Sequence, residues 1–526
     1  MKKLDLTFNL NQNFLSKIDE NQINALEIFK WLVIATTFIL SAFLLKEIFT
    51  VAYFIFFLIL LVIKKPHINL FFLIIWIFTF DFFKGQGYIL YENAKTVEKL
   101  AFILLFGFIL IDKKLHSNQL TDTSSFIKTL LSWNALLAIS LLAGILFVNF
   151  NYPTTKTIIS NLRYFFLFLI IYQLKFNSKE CKGLLNLIIA LSIIQVPIAI
   201  AQFNKIIPPS QTYFTYGGFT YNWEAGLDDV ASGTFGAAAS AQLSWFLSLI
   251  SLFLFSYGIL IKSNAVKLLS IFPLLQYAVV DSKGALAVTA FMFGLYFYNL
   301  YKYRILLKIQ ATKIIFPVLL LATFAYGFNS LWKNYYEKSE FTTIENVNQL
   351  YVSSYQTIFE NVLSWGKIAG FYYVADLQSQ ENSLKILTGF GISEFSFAGK
   401  NRLWKVRKQL KISMQKHNGV NESSGFIRIF AETGLFGLLI VITIYYSLYR
   451  FYKKFKFNTV FGKNMQLICW PFLIGSALFG FTAGTLSIIS LSLVTFWIFT
   501  ALALKFENIY LGRCILASQA KESDYV

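Results

Sequence analysis

Apolar runs close to the ~20 residues that cross a bilayer recur along almost the whole chain, and this constrains its folding more than any other feature. In hydrocarbon no water can satisfy a free N–H or C=O, so a crossing segment must be a helix or part of a closed barrel. These runs are continuous rather than alternating, which selects helices. Apolar spans are expected at roughly 31–46, 48–63, 68–81, 97–111, 127–148, 158–174, 183–203, 238–261, 266–280, 284–300, 313–331, 434–449, 466–483 and 486–504. Several fall short of a full crossing, so some are tilted, re-entrant or longer than drawn. The composition agrees: 56% of residues are apolar and 14% charged, where a soluble domain carries about a quarter charged.

The expected fold is an all-α integral membrane protein. It is a polytopic bundle of about 12–14 transmembrane helices with one large, mainly helical periplasmic loop. The expected divisions are a cytoplasmic segment 1–30, a bundle 31–331, the loop 332–432, a second part of the bundle 433–504 and a cytoplasmic tail 505–526. Residues 1–30 are polar with mixed charge, and no small-residue cleavage site follows 31–45, so the first apolar run reads as a retained helix.

The formal charge of +19 suits a membrane better than a nucleic acid. Lys64-Lys65, Lys113-Lys114, Lys175/Lys179/Lys182, Lys262/Lys267, Lys302/Arg304/Lys308 and Arg450/Lys453/Lys454/Lys456 fall in every second short loop. The alternate loops 149–157 and 204–237 hold one lysine each, Lys156 and Lys205. That bias puts both termini and the basic loops in the cytoplasm, and 332–432 outside. No basic stripe interleaved with aromatics lies in a soluble segment, so a nucleic-acid partner is not expected. Three cysteines and three histidines are scattered without metal-ligand spacing, so neither a disulfide framework nor a metal is expected, and no cofactor.

Long polar loops inside a compact unit are uncommon and usually functional. Within 332–432, the stretches 344–376 and 401–416 read as helical. The sequence WKVRKQLKISMQK sets basic residues between apolar ones and forms an amphipathic helix. Such a helix suits an anionic membrane surface and, equally, a solvated face packed on the rest of the loop. On the expected topology the unusual charges gather at the outer face. Arg163 starts a helix in SNLRYFF, Lys283 sits in the turn DSKGAL, and Arg428 and Glu432 lie in GFIRIFAETGLFG. Asp228-Asp229 precede the loop SGTFG, which holds Thr234. Charges at membrane depth are costly and point to function, although any one of them could snorkel to the interface. Three cations converging on one face suit a phosphate or diphosphate: arginine binds it bidentately and lysine as a point charge. With no nucleotide-binding fingerprint present, a lipid diphosphate is the natural anion there.

Five segments together resemble the bacterial O-antigen polymerase and O-antigen ligase superfamily over about residues 125–485: NLRYFFLF, SGTFG, DSKGAL, LTGFGISEF and SSGFIRIFAETGLFGLL. Lys283 stands where that family usually has arginine, and Ser423-Ser424 where its ligases usually carry His-Asn; His417-Asn418 lies earlier. The polar pair common after the Gly-Thr-Phe loop is replaced here by small residues, and acids at 228–229 stand where a basic residue is often found. The resemblance implies inverting, metal-independent transfer of a glycan from a polyprenyl diphosphate at the periplasmic side of the bacterial cytoplasmic membrane. Arg163, Lys283 and Arg428 would hold the diphosphate, and Asp228, Asp229 and Thr234 the glycan.

An inverting transfer needs a base for the acceptor hydroxyl. Glu432, His417, Glu422 and Glu394 are the candidates. Glu432 could instead be a helix-start carboxylate or an i,i+4 partner of Arg428. The missing His-Asn pair favours a repeat-unit polymerase over a ligase acting on lipid A or another acceptor. The expected partners are the lipid-linked oligosaccharide, membrane lipid and, as a further candidate, a chain-length regulator. A flippase for the same lipid is the third reading. It would show two related halves and charges at the midplane, rather than one asymmetric loop and charges at the outer face.

Overall fold

The computed structural model describes residues 22–79, 91–112, 126–133, 135–136, 165, 167–204, 206, 212–216, 219–223, 231, 233–235, 240–279, 283–302, 371, 374–376, 378–380, 382–389, 425–482 and 491–523. These residues have the architecture of a helical membrane protein. Five of their helices are long and apolar enough to cross a bilayer: Ala25–Val62, Ser178–Phe203, Ala241–Leu260, Ile429–Lys454 and Val494–Gly512.

The first of these, α1 (Ala25–Val62), is two helices joined at Lys46, whose φ of 47° and ψ of −118° leave the helical region. Phe38 and Tyr53 have ring centroids 6.0 Å apart, whereas fifteen residues of straight helix would separate them by about 22 Å. The chain therefore reverses at Lys46, and the two arms meet through Phe38, Phe49 and Tyr53, with Trp76 of α2 (Pro66–Thr79) filling the same aromatic cluster. The break falls between the expected spans 31–46 and 48–63, where a Lys-Glu pair interrupts the apolar sequence.

After α3 (Tyr91–Ile111) comes α4 (Ser178–Phe203). Its start is fixed by a capping box in which Asn177 accepts from the Glu180 N–H and Glu180 accepts from the Asn177 N–H; two orphan donors are thereby satisfied. α5 (Ser240–Leu260) is buried along nearly its whole length. α7 (Lys283–Lys302), α9 (Gly425–Lys454), α10 (Val460–Thr482) and α11 (Leu491–Ser523) complete the bundle. α11 runs well past 505, so most of the expected cytoplasmic tail is helix.

One expectation is corrected, and one element is added to the helices. Residues 266–280 do not form one span: a short α6 (Asn264–Leu269) gives way to a 3-10 helix, Phe272–Ala278. Pro273 sits in the first turn of that 3-10 helix. It has no N–H to continue an α-helical ladder and its ring clashes with the preceding turn. The added element is a short strand pair. β1 (Thr212–Tyr216) and β2 (Phe219–Trp223) form an antiparallel hairpin with Tyr216 opposite Phe219. The helix expected at 401–416 lies outside the described residues, as do most of the span expected at 127–148, the first part of that at 158–174 and all of 313–331.

α10 is the axis of the second part of the bundle. It runs antiparallel to α7: the Asn299 amide donates to the Leu467 carbonyl (3.2 Å), Tyr298 lies by Trp470, and Gly475 faces Met292. It runs antiparallel to α5 as well, through Asn464 donating to the Phe253 carbonyl (3.1 Å) and Trp245 stacked between Phe472 and Phe479. It is also antiparallel to α9, through Gln466 donating to the Tyr452 carbonyl (2.8 Å). Those three registers fix which helix ends share one side of the molecule.

Candidate functional site

Carried along the helices, the three registers bring the starts of α5 and α7, and the break in α9 at Gly434, close to the end of α10 at Thr482. The SGTFG loop leads into α5, Lys283 opens α7, and Arg428 and Glu432 lie in the first turns of α9. Three motif segments far apart in sequence thus come to one end of the bundle. The side chains of Lys283 and Arg428 lie outside the described residues, as do Arg163, His417, Glu422, Glu394, Asp228 and Asp229.

The Gly-Thr-Phe loop is fastened by two glutamines on one face of α4. The Gly233 N–H donates to Gln202 Oε1 (2.8 Å), and Gln202 Nε2 donates back to the Gly233 carbonyl (2.9 Å). One turn pair earlier, Gln195 Oε1 accepts from the Thr234 N–H (2.8 Å), and its Nε2 lies 2.7 Å from Thr234 Oγ1. The Thr234 hydroxyl donates to the Phe78 carbonyl (2.6 Å) at the end of α2. Inside a bilayer such groups have no water to fall back on, so each is matched by protein. Thr234 is completely buried. Its hydroxyl therefore holds the loop between α2 and α4, and a glycan contact would require that network to open. Gln195 and Gln202 were missed in the sequence reading, although two glutamines seven residues apart on an apolar helix are a recognisable sign of interhelical hydrogen bonding.

The large loop is fastened differently. Apart from 425–432, which are helix and belong to α9, its described residues lie between 371 and 389, and end in α8 (Lys385–Thr388) followed by Gly389. Gly389 has φ 77°, ψ −179°, and Gly434, inside α9, has φ 64°, ψ −164°. Both conformations belong to a region that is essentially restricted to glycine. The two backbones cross without an intervening side chain. A Cβ on Gly389 would collide with the Glu432 carbonyl and the Thr433 nitrogen, and one on Gly434 with the Leu387 carbonyl and the Gly389 nitrogen. The LTGFG and AETG segments are therefore two sides of one contact.

Gly434 breaks α9 into a short helix, 425–433, and a longer one. A break of this kind frees carbonyls that would otherwise accept within the helix. Gln378 supplies the replacement: its Nε2 donates to the carbonyls of Phe430 (3.1 Å) and Ala431 (3.4 Å). Gln378 is itself buried, and its Oε1 has no hydrogen-bond partner among the described residues. Val374, Ile427, Phe430 and Ala431 form a small apolar cluster of their own beneath this join, with Phe371 and Ile386 against it.

Glu432 is 4% exposed and sits two residues before the break. It is not in the first turn of α9, so the helix-start role expected for it does not apply. What surrounds it is the clasp: its own carbonyl carbon and oxygen face Gly389, and Thr433 beside it turns its hydroxyl back to the Ile429 carbonyl (2.7 Å). A buried carboxyl is thus held where the segment 371–389 meets α9. No group of three or more metal-ligating side chains occurs among the described residues.

No family model matches this chain, and no curated protein or solved structure is significantly similar to it.

Proposed function

We propose that this chain is a glycosyltransferase of the bacterial cytoplasmic membrane that joins polyprenyl-diphosphate-linked oligosaccharide units into a longer surface glycan. The observation that carries the reading is the clasp at Gly389 and Gly434. It ties the large polar loop to the helix bearing Arg428 and Glu432, at the bundle end where the Gly-Thr-Phe loop and Lys283 also arrive. An enzyme acting on a lipid diphosphate with a sugar attached needs both parts together, a cationic site at leaflet depth and a polar enclosure above it.

In the proposed reaction the acceptor hydroxyl attacks the anomeric carbon from the face opposite the diphosphate. The new C–O bond forms as the bond to the diphosphate oxygen breaks, and the diphosphate leaves with the electron pair. Arg163, Lys283 and Arg428 would take up its charge, each charge-assisted contact being stronger than a neutral one. The acceptor proton passes to a carboxylate. Glu432 is the candidate base favoured by its place at the clasp, ahead of His417 and Glu422.

The deciding experiment is reconstitution of the purified protein with undecaprenyl-diphosphate-linked oligosaccharide, with the products separated by size. The wild type is expected to give a ladder of repeat units on the lipid carrier. Lys283→Ala should slow it roughly ten- to a hundredfold, the loss of one contact of ~1.5–3 kcal/mol to a charged group in the transition state. Lys283→Arg should keep most of the activity. A wild-type ladder from Lys283→Ala would reduce Lys283 to an interfacial anchor. Transfer of a finished glycan to a lipid acceptor, without a ladder, would make the protein a ligase.

A further inference from the structure

At the end of the molecule opposite the clasp lies a cavity of about 1030 Å³. Its walls are the helical segment 126–133, the last turns of α9, the link into α10, and α11. Two kinds of lining meet there. Phe126, Trp133, Tyr446 and Phe455 are aromatic, and Arg450, Lys454 and Lys456 are cationic. Phe126 lies flat against Phe451, with centroids 3.7 Å apart, which fixes the first wall to α9.

The three cations have no carboxylate partner within salt-bridge distance among the described residues. The acid in the wall, Glu507, is fully buried and turned to another task. Its carboxylate accepts from the backbone N–H groups of Asn458 and Thr459 and from both of their side chains, at 2.6–3.1 Å. It thereby caps the start of α10. Neighbouring Lys453 lies over the Tyr449 ring instead (5.5 Å). Three like charges on one rim, with the local acid engaged elsewhere, repel one another until an anion arrives.

The approach to this rim is apolar. Leu435, Leu439, Ile442 and Tyr446 are exposed on α9 and follow one another at four-, three- and four-residue steps. Arg450 continues the same stripe four residues on. From Leu439 to Arg450 the helix rises about 16 Å, matching half of the ~30 Å hydrocarbon core. A cationic pocket therefore sits at the head of an apolar track one leaflet long.

We propose that this cavity binds the phosphate headgroup of an anionic phospholipid of the inner leaflet, with an acyl chain laid along Leu435–Tyr446. A diester phosphate engages Arg450, Lys454 and Lys456, and the aromatic wall takes the upper part of the chain. On the orientation given by the loop charges, the site faces the cytoplasm, where basic pockets between helices meet anionic headgroups. The site is independent of the glycan chemistry proposed for the other end.

The test is native mass spectrometry of the full-length protein titrated with phosphatidylglycerol, with phosphatidylcholine, and with phosphatidylglycerol in excess inorganic phosphate. The wild type is expected to retain phosphatidylglycerol selectively, and inorganic phosphate should not displace it. The combined variant Arg450→Gln, Lys454→Gln, Lys456→Gln should lose that selectivity, at roughly fivefold per cation and on the order of a hundredfold together. A second measurement needs no charge variant. Phosphatidylglycerol with brominated acyl chains should quench the part of the fluorescence that Trp133→Phe removes. Equal retention of the two lipids, full selectivity in the combined variant, displacement by inorganic phosphate, or an unquenched Trp133 would each overturn the proposal.

Discussion

Replacing Gly434 with alanine tests whether the segment 371–389 is fastened by backbone contact. Two costs arise. The backbone must hold φ 64°, ψ −164° with a side chain present, which costs about 1–3 kcal/mol. The new methyl also meets the Leu387 carbonyl and the Gly389 nitrogen. Neither is the end of a flexible side chain, so no rotamer change relieves the collision and the first cost is a floor. The cheapest response is for segment 371–389 to lift away. Trypsin reads this directly at Lys385, which lies in α8 within the docked segment. If opening is fast relative to cleavage, the rate follows the open population, and ~1–3 kcal/mol corresponds to a roughly 5- to 160-fold increase. Gly294→Ala is the control, because nothing lies within 4 Å of a Cβ built there. It should leave cleavage at Lys385 unchanged. If Gly434→Ala is cut at Lys385 no faster than the wild type, the loop is not held by this contact and the reasoning fails.

Three further outcomes are expected. A cysteine at the exposed Ser379, in a chain with its native cysteines replaced, should react with an impermeant thiol reagent in intact spheroplasts; labelling only after lysis would reverse the orientation and remove the basis for the glycan proposal. Gln378→Leu leaves the carbonyls of Phe430 and Ala431 without their donor, at about 1–3 kcal/mol, and should raise cleavage at Lys385 in the same assay while leaving the thermal unfolding of the bundle nearly unchanged. Thr234→Val removes the hydroxyl shared by Phe78 and Gln195 at a similar cost, and should lower the thermal midpoint in detergent; an unchanged midpoint would show that the network does not carry the loop.

The helices were legible because their signal is local. A run of apolar residues states its own need for a bilayer, and Lys46-Glu47 marked a break where the chain in fact reverses. Pro273 was as visible as any residue, but a 15-residue apolar stretch outweighs one proline in a reading by hydropathy. The hairpin had a signal that went unused: TYFTY and FTYNW flank Gly217-Gly218, and two strand-like runs separated by two glycines read as a hairpin. The resemblance to a polymerase family picked out LTGFG and AETG as separate motifs, but nothing in a single sequence says that Gly389 and Gly434 touch. Their meeting depends on a loop closing over 45 positions. Each glycine alone looks like an ordinary turn or helix end. The anchoring role of Thr234 was hidden for a related reason. Its partners, Phe78 and Gln195, are 156 and 39 positions away.

The join at Gly389 and Gly434 uses main chain on both sides, and Gln378 is the side chain that reinforces it by hydrogen bonds. Fastening therefore rests on few positions. Residues elsewhere in the segment can be exchanged without weakening the attachment, provided the two glycines and Gln378 stay. The glycines themselves form an obligate couple: once one has been replaced and the loop has lifted, replacing the second costs little more. A double-mutant cycle on the pair should accordingly be strongly non-additive. Chains that descend from this one should keep both glycines or neither, whatever happens to the sequence between them.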